Sequence, residues 1–287
     1  MKKQTNSYFR DVVERFFRHK LAVIGIAFII FEVLVVSFLP MIMELNPNVS
    51  DFLAGITAAP SDAHILGTDD VGRDVFARLI YGGRVSLLVG VASAMISVLI
   101  GIPLGLLAGY YRGIVEMIIM RLADVFMSLP SMVLIMVLVS VLGPSISTAT
   151  AVIGVMGWPN TARLLYGKVL SVRESDYVEA ARAIGTKDVK IMSRYILPNA
   201  ITPVLVSFTF GIANAILQES SLSFLGMGVQ PPQASWGNIL YAAQSITVLS
   251  AKPWIWVPTG IVLLLTVLSF NFFGDGLRDA LDPKMQV

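Results

Sequence analysis

Six stretches of this chain, 21–39, 85–110, 115–142, 146–166, 201–222 and 254–273, are each apolar over about the length of a membrane-crossing helix. A helix needs about 20 mostly apolar residues to cross roughly 30 Å of hydrocarbon. The reading that follows is an all-α, polytopic membrane protein with six transmembrane helices. Composition agrees: 55% of the 287 residues are hydrophobic and only 14% charged, against about 25% charged in soluble proteins. That excludes a disordered chain, a secreted disulfide scaffold and an ordinary cytosolic enzyme. With no cysteine there is no disulfide, thiol nucleophile or cysteine-held metal, and two histidines, His19 and His64, are too few for a histidine cluster. A net charge of +2 offers no field for nucleic acid to follow. The first stretch is too long for a cleaved signal peptide and no small-x-small site follows it, so it reads as an anchor.

Basic residues orient the spans, because short loops rich in Lys and Arg stay on the cytoplasmic side. With both termini inside, 17 of the 21 Lys and Arg residues fall inside and 4, Arg73, Arg78, Arg84 and Lys252, fall outside. The reading is therefore a multi-pass membrane protein with cytoplasmic N- and C-termini. It divides into an amphipathic cytoplasmic segment (1–20), a first span with an outer loop (21–84), a core of five spans (85–273) and a cytoplasmic tail (274–287). In the first segment Tyr8, Val12, Val13, Phe16 and Phe17 recur at helical spacing and predict a helix on the inner membrane surface.

The main cytoplasmic loop, 167–198, carries its own helix signals. Asp176 is placed to cap a short helix, Glu179 to complete a capping box, and Gly185 to end it in the left-handed conformation. Thr186 is placed to cap a second helix with Val189, Met192 and Ile196 on one face, closed by Pro198. So short a helix is marginal in water and needs a surface.

These residues also carry a resemblance. Glu179-Ala180-Ala181, Gly185 and Ile196-Leu197-Pro198 resemble the EAA signature of ABC importer permeases. Further strings are similar to the C-type subunit of the dipeptide, oligopeptide and nickel branch. They are His64 to Asp74 (HILGTDDVGRD), Tyr81 to Leu87 (YGGRVSL), Glu219 to Gly226 (ESSLSFLG), Pro231-Pro232 with Ala234-Ser235-Trp236-Gly237, and Gly274 to Pro283 (GDGLRDALDP). The resemblance implies the type I importer permease fold, with Asp176, Glu179, Ala180, Ala181 and Gly185 in a coupling helix that docks in a groove of an ATPase subunit. It further implies a homologous second permease subunit, two ABC ATPases that bind the ATP and Mg, and an extracellular solute-binding lipoprotein. This chain has no phosphate-loop motif, so it is read as a translocation subunit with no catalytic residue, cofactor or metal of its own. The expected cargo is short peptides, with nickel or another small chelate as the alternative.

Other positions weigh less. Asp69, Asp70 and Asp74 do not follow a calcium-loop pattern; Asp74 reads as a helix cap and Gly67 and Gly72 as tight turns. Gly101, Gly105 and Gly109 predict a smooth strip for close helix approach, and Pro103 and Pro130 predict bends. Glu32 and Glu219 fall inside apolar stretches, where a carboxyl faces a partner or a wet path. Glu219, Ser220 and Ser221 are read as part of the translocation path or its outer gate. Glu32 reads as a contact with the partner permease or as a protonated carboxyl, and Arg121 with Asp124 as a local pair. A gradient-driven secondary transporter would need inverted repeats and buried ion ligands, and a membrane hydrolase a catalytic constellation within the spans; neither pattern is present.

Overall fold

The structure is a computed structural model that describes Arg10 and residues 12–281; Tyr8 and part of the expected terminal segments lie outside these residues. The described residues form helices and connecting loops, with two isolated bridges, Ser50 to Arg73 and Thr68 to Asp74, and no strand. A short helix α1 (12–18) leads through His19, whose ring nitrogen caps the next helix, into α2 (Lys20–Ile42). The long α3 (Val75–Tyr111), the pair α4 (Gly113–Ser128) and α5 (Ser131–Leu142), and α6 (Ile146–Arg173) follow. Two small helices, α7 (Asp176–Ala183) and α8 (Asp188–Ile191), lie in the expected loop. A π-helical turn Met192–Ile196 then connects to α9 (Leu197–Ala200) and α10 (Thr202–Phe224). After α11 (Trp236–Leu240) and α12 (Ile246–Ala251), α13 (Pro253–Leu281) ends the described chain.

Individually, α2, α3 and α13 are long and apolar enough to cross a membrane, and two bent pairs raise the number to five. The stretch 115–142, expected as one span, is broken by Pro130, and α4 and α5 meet at 90°. Pro130 cannot donate a backbone hydrogen bond and drives Leu129 into an extended conformation (φ −104°, ψ 145°). The stretch 146–166 forms α6, which is long enough at 28 residues but less apolar, because Trp158-Pro159-Asn160-Thr161, Arg163 and Lys168 interrupt it.

α6 lies along α3, and the glycine strip makes that approach possible. A Cβ added to Gly101 would stand 2.6 Å from the Thr161 Cβ, and one on Gly109 2.6 Å from the Val169 Cγ1. Gly105 lies against the Ala162 carbonyl, and α6 answers with Gly154 against Ile96 and Gly157 against Ser97. At this separation hydroxyls cross between backbones: Ser93 donates to the Thr150 carbonyl (2.9 Å) and Ser97 to that of Gly154 (2.7 Å). Close backbone approach of this kind holds helices together where lipid offers no hydrophobic drive.

The first span packs against the last, with Gly25 on the Ser269 carbonyl and Gly276 on Ala22. The Thr266 hydroxyl donates to Glu32 Oε1 at 2.7 Å, so the buried Glu32 has a partner within its own chain. At that end Phe16 stacks edge-on against Phe273 and His19 faces Asp279 at 3.7 Å. The helix ends near 19 and 281 and the 167–198 loop thus gather at one end of the bundle, where Arg278 and Leu281 share a cavity with Lys168 and Pro198. Segments 43–74 and 225–252 gather at the other. There Arg78 reaches the Pro47 and Pro232 carbonyls, and Lys252 bonds Thr57.

Candidate functional site

The 167–198 loop is a built surface. Ser175, in extended conformation (φ −76°, ψ 143°), is the N-cap residue of α7, so Asp176 is the first helical residue and does not cap. Asp176 and Glu179 both stand in the first turn, where a carboxylate is favoured by the helix dipole. The C-terminus is a Schellman motif: the Gly185 N–H donates to the Arg182 carbonyl (2.9 Å) and the Thr186 N–H to that of Ala181 (3.1 Å). Gly185 has φ +76°, a conformation that penalises any side chain with a Cβ. The N-cap position of α8 falls on Lys187, one residue past Thr186, whose N–H closes the Schellman motif. Pro198 sits in the first turn of α9, where it needs no donor, so it continues the helical path; the 63° bend falls at Ile201, ahead of α10.

One side of this unit is core. Val178 and Ala181 are buried with Leu165, Val169, Ile191, Ile196 and Tyr110, which places Ala181 on the inner face. Asp176, Glu179, Ala180 and Gly185 stand at the surface. Beside them lie large exposed apolar side chains: Ile184 is 79% exposed, Val189 71% and Tyr177 45%. Val189, expected on the face of Met192 and Ile196, points outward instead, because α8 ends after one turn and the π-helical turn shifts the register. Sequence reading missed the anchor. Tyr110, near the end of α3, donates its hydroxyl to Asp188 Oδ1 (2.6 Å), and the Arg182 guanidinium lies over its ring at 5.1 Å. One side chain of the longest helix therefore holds both α7 and α8.

Near the opposite end, the Glu219 carboxyl is fully buried. Ser86 of α3 donates to its Oε2 (2.9 Å) and Ser223 to its Oε1 (2.7 Å). The same two hydroxyls accept from the backbone N–H groups of Trp236 (3.2 Å) and Val229 (3.0 Å). Ser220 is buried beside this network and Ser221 is exposed. Glu219 thereby ties α10, α3 and the 225–240 segment together.

Asp74 caps α3 through the Ala77 N–H (2.6 Å) and also holds His64 Nδ1 at 2.7 Å, while Asp51 faces His64 Nε2 at 3.4 Å. The hydrogen bond to Asp74, helped by that to Asp51, raises the His64 pKa above its ordinary value. The Ala54 N–H and His64 lower that of Asp51. Gly67 (φ +68°) and Gly72 (φ +79°) make the turns. Asp69 is bound by Arg73 (2.7 Å) and faces Arg78 (3.4 Å), so its charge is met by guanidinium groups. Asp124 takes Arg163 of α6 as well as Arg121 (3.8 Å), which makes it a link between helices and not only a local pair.

Two family models match the chain. One, described as the binding-protein-dependent transport system inner membrane component, matches residues 101–287. The other, the N-terminal TM domain of oligopeptide transport permease C, matches residues 7–60. The chain is 40% identical over 285 residues to the dipeptide transport system permease protein DppC of Alkalihalophilus pseudofirmus, covering 98% of this chain and 91% of that one. It is 37% identical over 285 residues to the oligopeptide transport system permease protein OppC of Bacillus subtilis, covering 99% and 92%. Among solved structures, the MetNI methionine ABC transporter covers 71% of this chain at a TM-score of 0.59, with 97% of that chain covered and 19% identity. An amino acid ABC transporter covers 70% of this chain and 92% of its own at 0.54, with 16% identity. At those identities the likeness is one of fold.

Proposed function

Because the chain belongs to the binding-protein-dependent transport system inner membrane components, we propose that it is one of two homologous permease subunits of an ATP-driven importer of short peptides. The dipeptide and oligopeptide transport names of its relatives support that cargo. In this reading both termini and the 167–198 loop are cytoplasmic, in the bacterial plasma membrane, and two ATPase subunits bind the ATP and Mg. A solute-binding lipoprotein delivers peptide to the opposite face.

The observation that carries the reading is the two-sided build of α7. Val178 and Ala181 seat it on the bundle, while Asp176, Glu179, Ala180 and Gly185 stand outward among exposed Tyr177, Ile184 and Val189. Large apolar side chains displayed together on a small unit seated on the bundle mark a protein contact. The unit docks in the ATPase subunit, follows its closure on ATP binding, and moves α3 and α10. The permease pair then alternates between inward-open and outward-open states. Glu219, Ser220 and Ser221 act at the outer gate, Glu219 by fixing the 225–240 segment to α3.

The test is the whole complex reconstituted in proteoliposomes. Glu179→Arg, which places a cation in the first turn, and Gly185→Val, which strains the φ +76° position, are expected to lower uptake about tenfold or more and to weaken retention of the ATPase subunits. Retained ATPase subunits with unchanged uptake in both variants would show that this surface is not the docking site.

A further inference from the structure

Residues Ser207, Gly211, Asn214, Gln218 and Ser221 of α10 recur at spacings of four, three, four and three. That spacing sets them on one face of the helix. Asn214 and Ser221 are exposed, and Ser207, Gly211 and Gln218 half-buried. Across from the first four, Ser93 and Ser97 of α3 with Asn160 and Thr161 of α6 complete a cavity of about 290 Å³ whose lining holds no charged side chain. No group among the described residues hydrogen-bonds the side chains of Asn160, Asn214 or Gln218. On the far side of α10, Leu205 is 45% exposed, and on α3 Leu99 is 65% exposed, opposite Ser97. A larger cavity, about 770 Å³, opens from Ser207 and Phe210 toward the end carrying Lys168 and Arg278.

An unpaired amide left against hydrocarbon costs several kcal/mol. Three of them around one cavity, on helices whose other faces are apolar, need either water or a solute. We propose that Ser207, Asn214 and Gln218 of α10, with Asn160 of α6, are this subunit's wall of the solute path, and that this wall is neutral and amide-lined. Such a wall engages the main-chain N–H and C=O groups that every peptide shares and is indifferent to side-chain charge; no ion pair selects or traps the cargo. The inference rests on the permease reading, and its tests separate the two.

The chain has no cysteine, so a thiol introduced here is the only one on the subunit. In the assembled complex, Ser207→Cys, Asn214→Cys and Gln218→Cys are expected to react with a charged, membrane-impermeant methanethiosulfonate about tenfold faster than Leu205→Cys and Leu99→Cys, since the reagent needs a hydrated thiolate. Equal rates across all five would overturn the assignment even if peptide uptake were normal. Fast labelling without any peptide uptake would keep the wet wall and reject the peptide cargo. Neutrality is tested by Asn214→Asp, which should lower uptake of anionic relative to neutral peptides by about tenfold through like-charge repulsion while cationic peptides pass. Uptake that falls equally for all three classes, or for none, would overturn the neutral wall.

Discussion

Glu219 shows how one carboxyl inside an apolar stretch organises its surroundings. Both oxygens accept a serine hydroxyl, and each hydroxyl in turn accepts a backbone N–H from the 225–240 segment. Truncation would leave two buried hydroxyls without their acceptor and open a cavity, at about 1–3 kcal/mol for each unmet group. Glu219→Ala should therefore lower the thermal midpoint of the detergent-purified complex and expose 225–240 to protease. Glu219→Gln keeps an acceptor and should lose only about 1 kcal/mol. An Ala variant with native midpoint and native protease resistance would remove Glu219 from this role. Its burial is foreshadowed by the serines around it in sequence, but Ser86 lies 133 residues from Glu219 and 150 from Trp236, and the three meet only through folding. Likewise Gly185 reads directly as a helix stop, whereas Asp176 misleads as a cap because Ser175, one residue earlier, already holds the extended conformation a cap requires.

Elements divide the same way. The α3–α6 contact is legible because glycines every fourth residue leave a groove in any helix they occupy. Breaks are legible only in part: Pro130 marks the one between α4 and α5 although hydropathy runs unbroken across it, whereas the bend at Ile201 has no glycine at the joint. In the 43–74 segment, the Asp51–His64–Asp74 clasp joins three separated positions at the start of α3, and only the Asp74 cap follows from local pattern. Its pH dependence has a definite sign. The His64 pKa is raised in the folded protein from 6.5, so its contribution is fully present below 6.5 and is lost as pH rises through the folded value. The Asp51 pKa is lowered from 3.8, so its contribution is present above 3.8 and is lost as pH falls through the folded value. Hydrogen exchange in 51–74, corrected for intrinsic rates, should therefore accelerate on going alkaline of the raised His64 value, and His64→Gln should abolish that step. An alkaline step that persists in His64→Gln would assign it to another group.

At the scale of the molecule, α3 is the element that reaches both ends. Its 37 residues span about 55 Å at 1.5 Å per residue. One end carries Asp74, Arg78 and Ser86, which hold the 43–74 and 225–240 segments; the other carries Tyr110, which holds α7 and α8. Hydropathy makes the apolar helices readable and basic-residue placement singles out the 167–198 loop, but neither signals that one aromatic side chain joins that loop to a helix running the full depth of the bundle. If α7 and α8 move with an ATPase partner, Tyr110 is where displacement enters α3, because a packed ring and a charge-assisted hydrogen bond yield less readily than the exposed links of the loop. Tyr110→Ala removes both contacts and should leave ATP hydrolysis in the reconstituted complex while lowering peptide taken up per ATP by about tenfold, a coupling loss of about 1.4 kcal/mol. Tyr110→Phe keeps the ring under Arg182, loses only the bond to Asp188, and should stay within about threefold of the native ratio. An unchanged ratio in Tyr110→Ala, with the complex intact by size-exclusion chromatography, would mean that motion reaches α3 by another route, and the continuous helical path from α8 through the bend at Ile201 into α10 is the one the fold supplies.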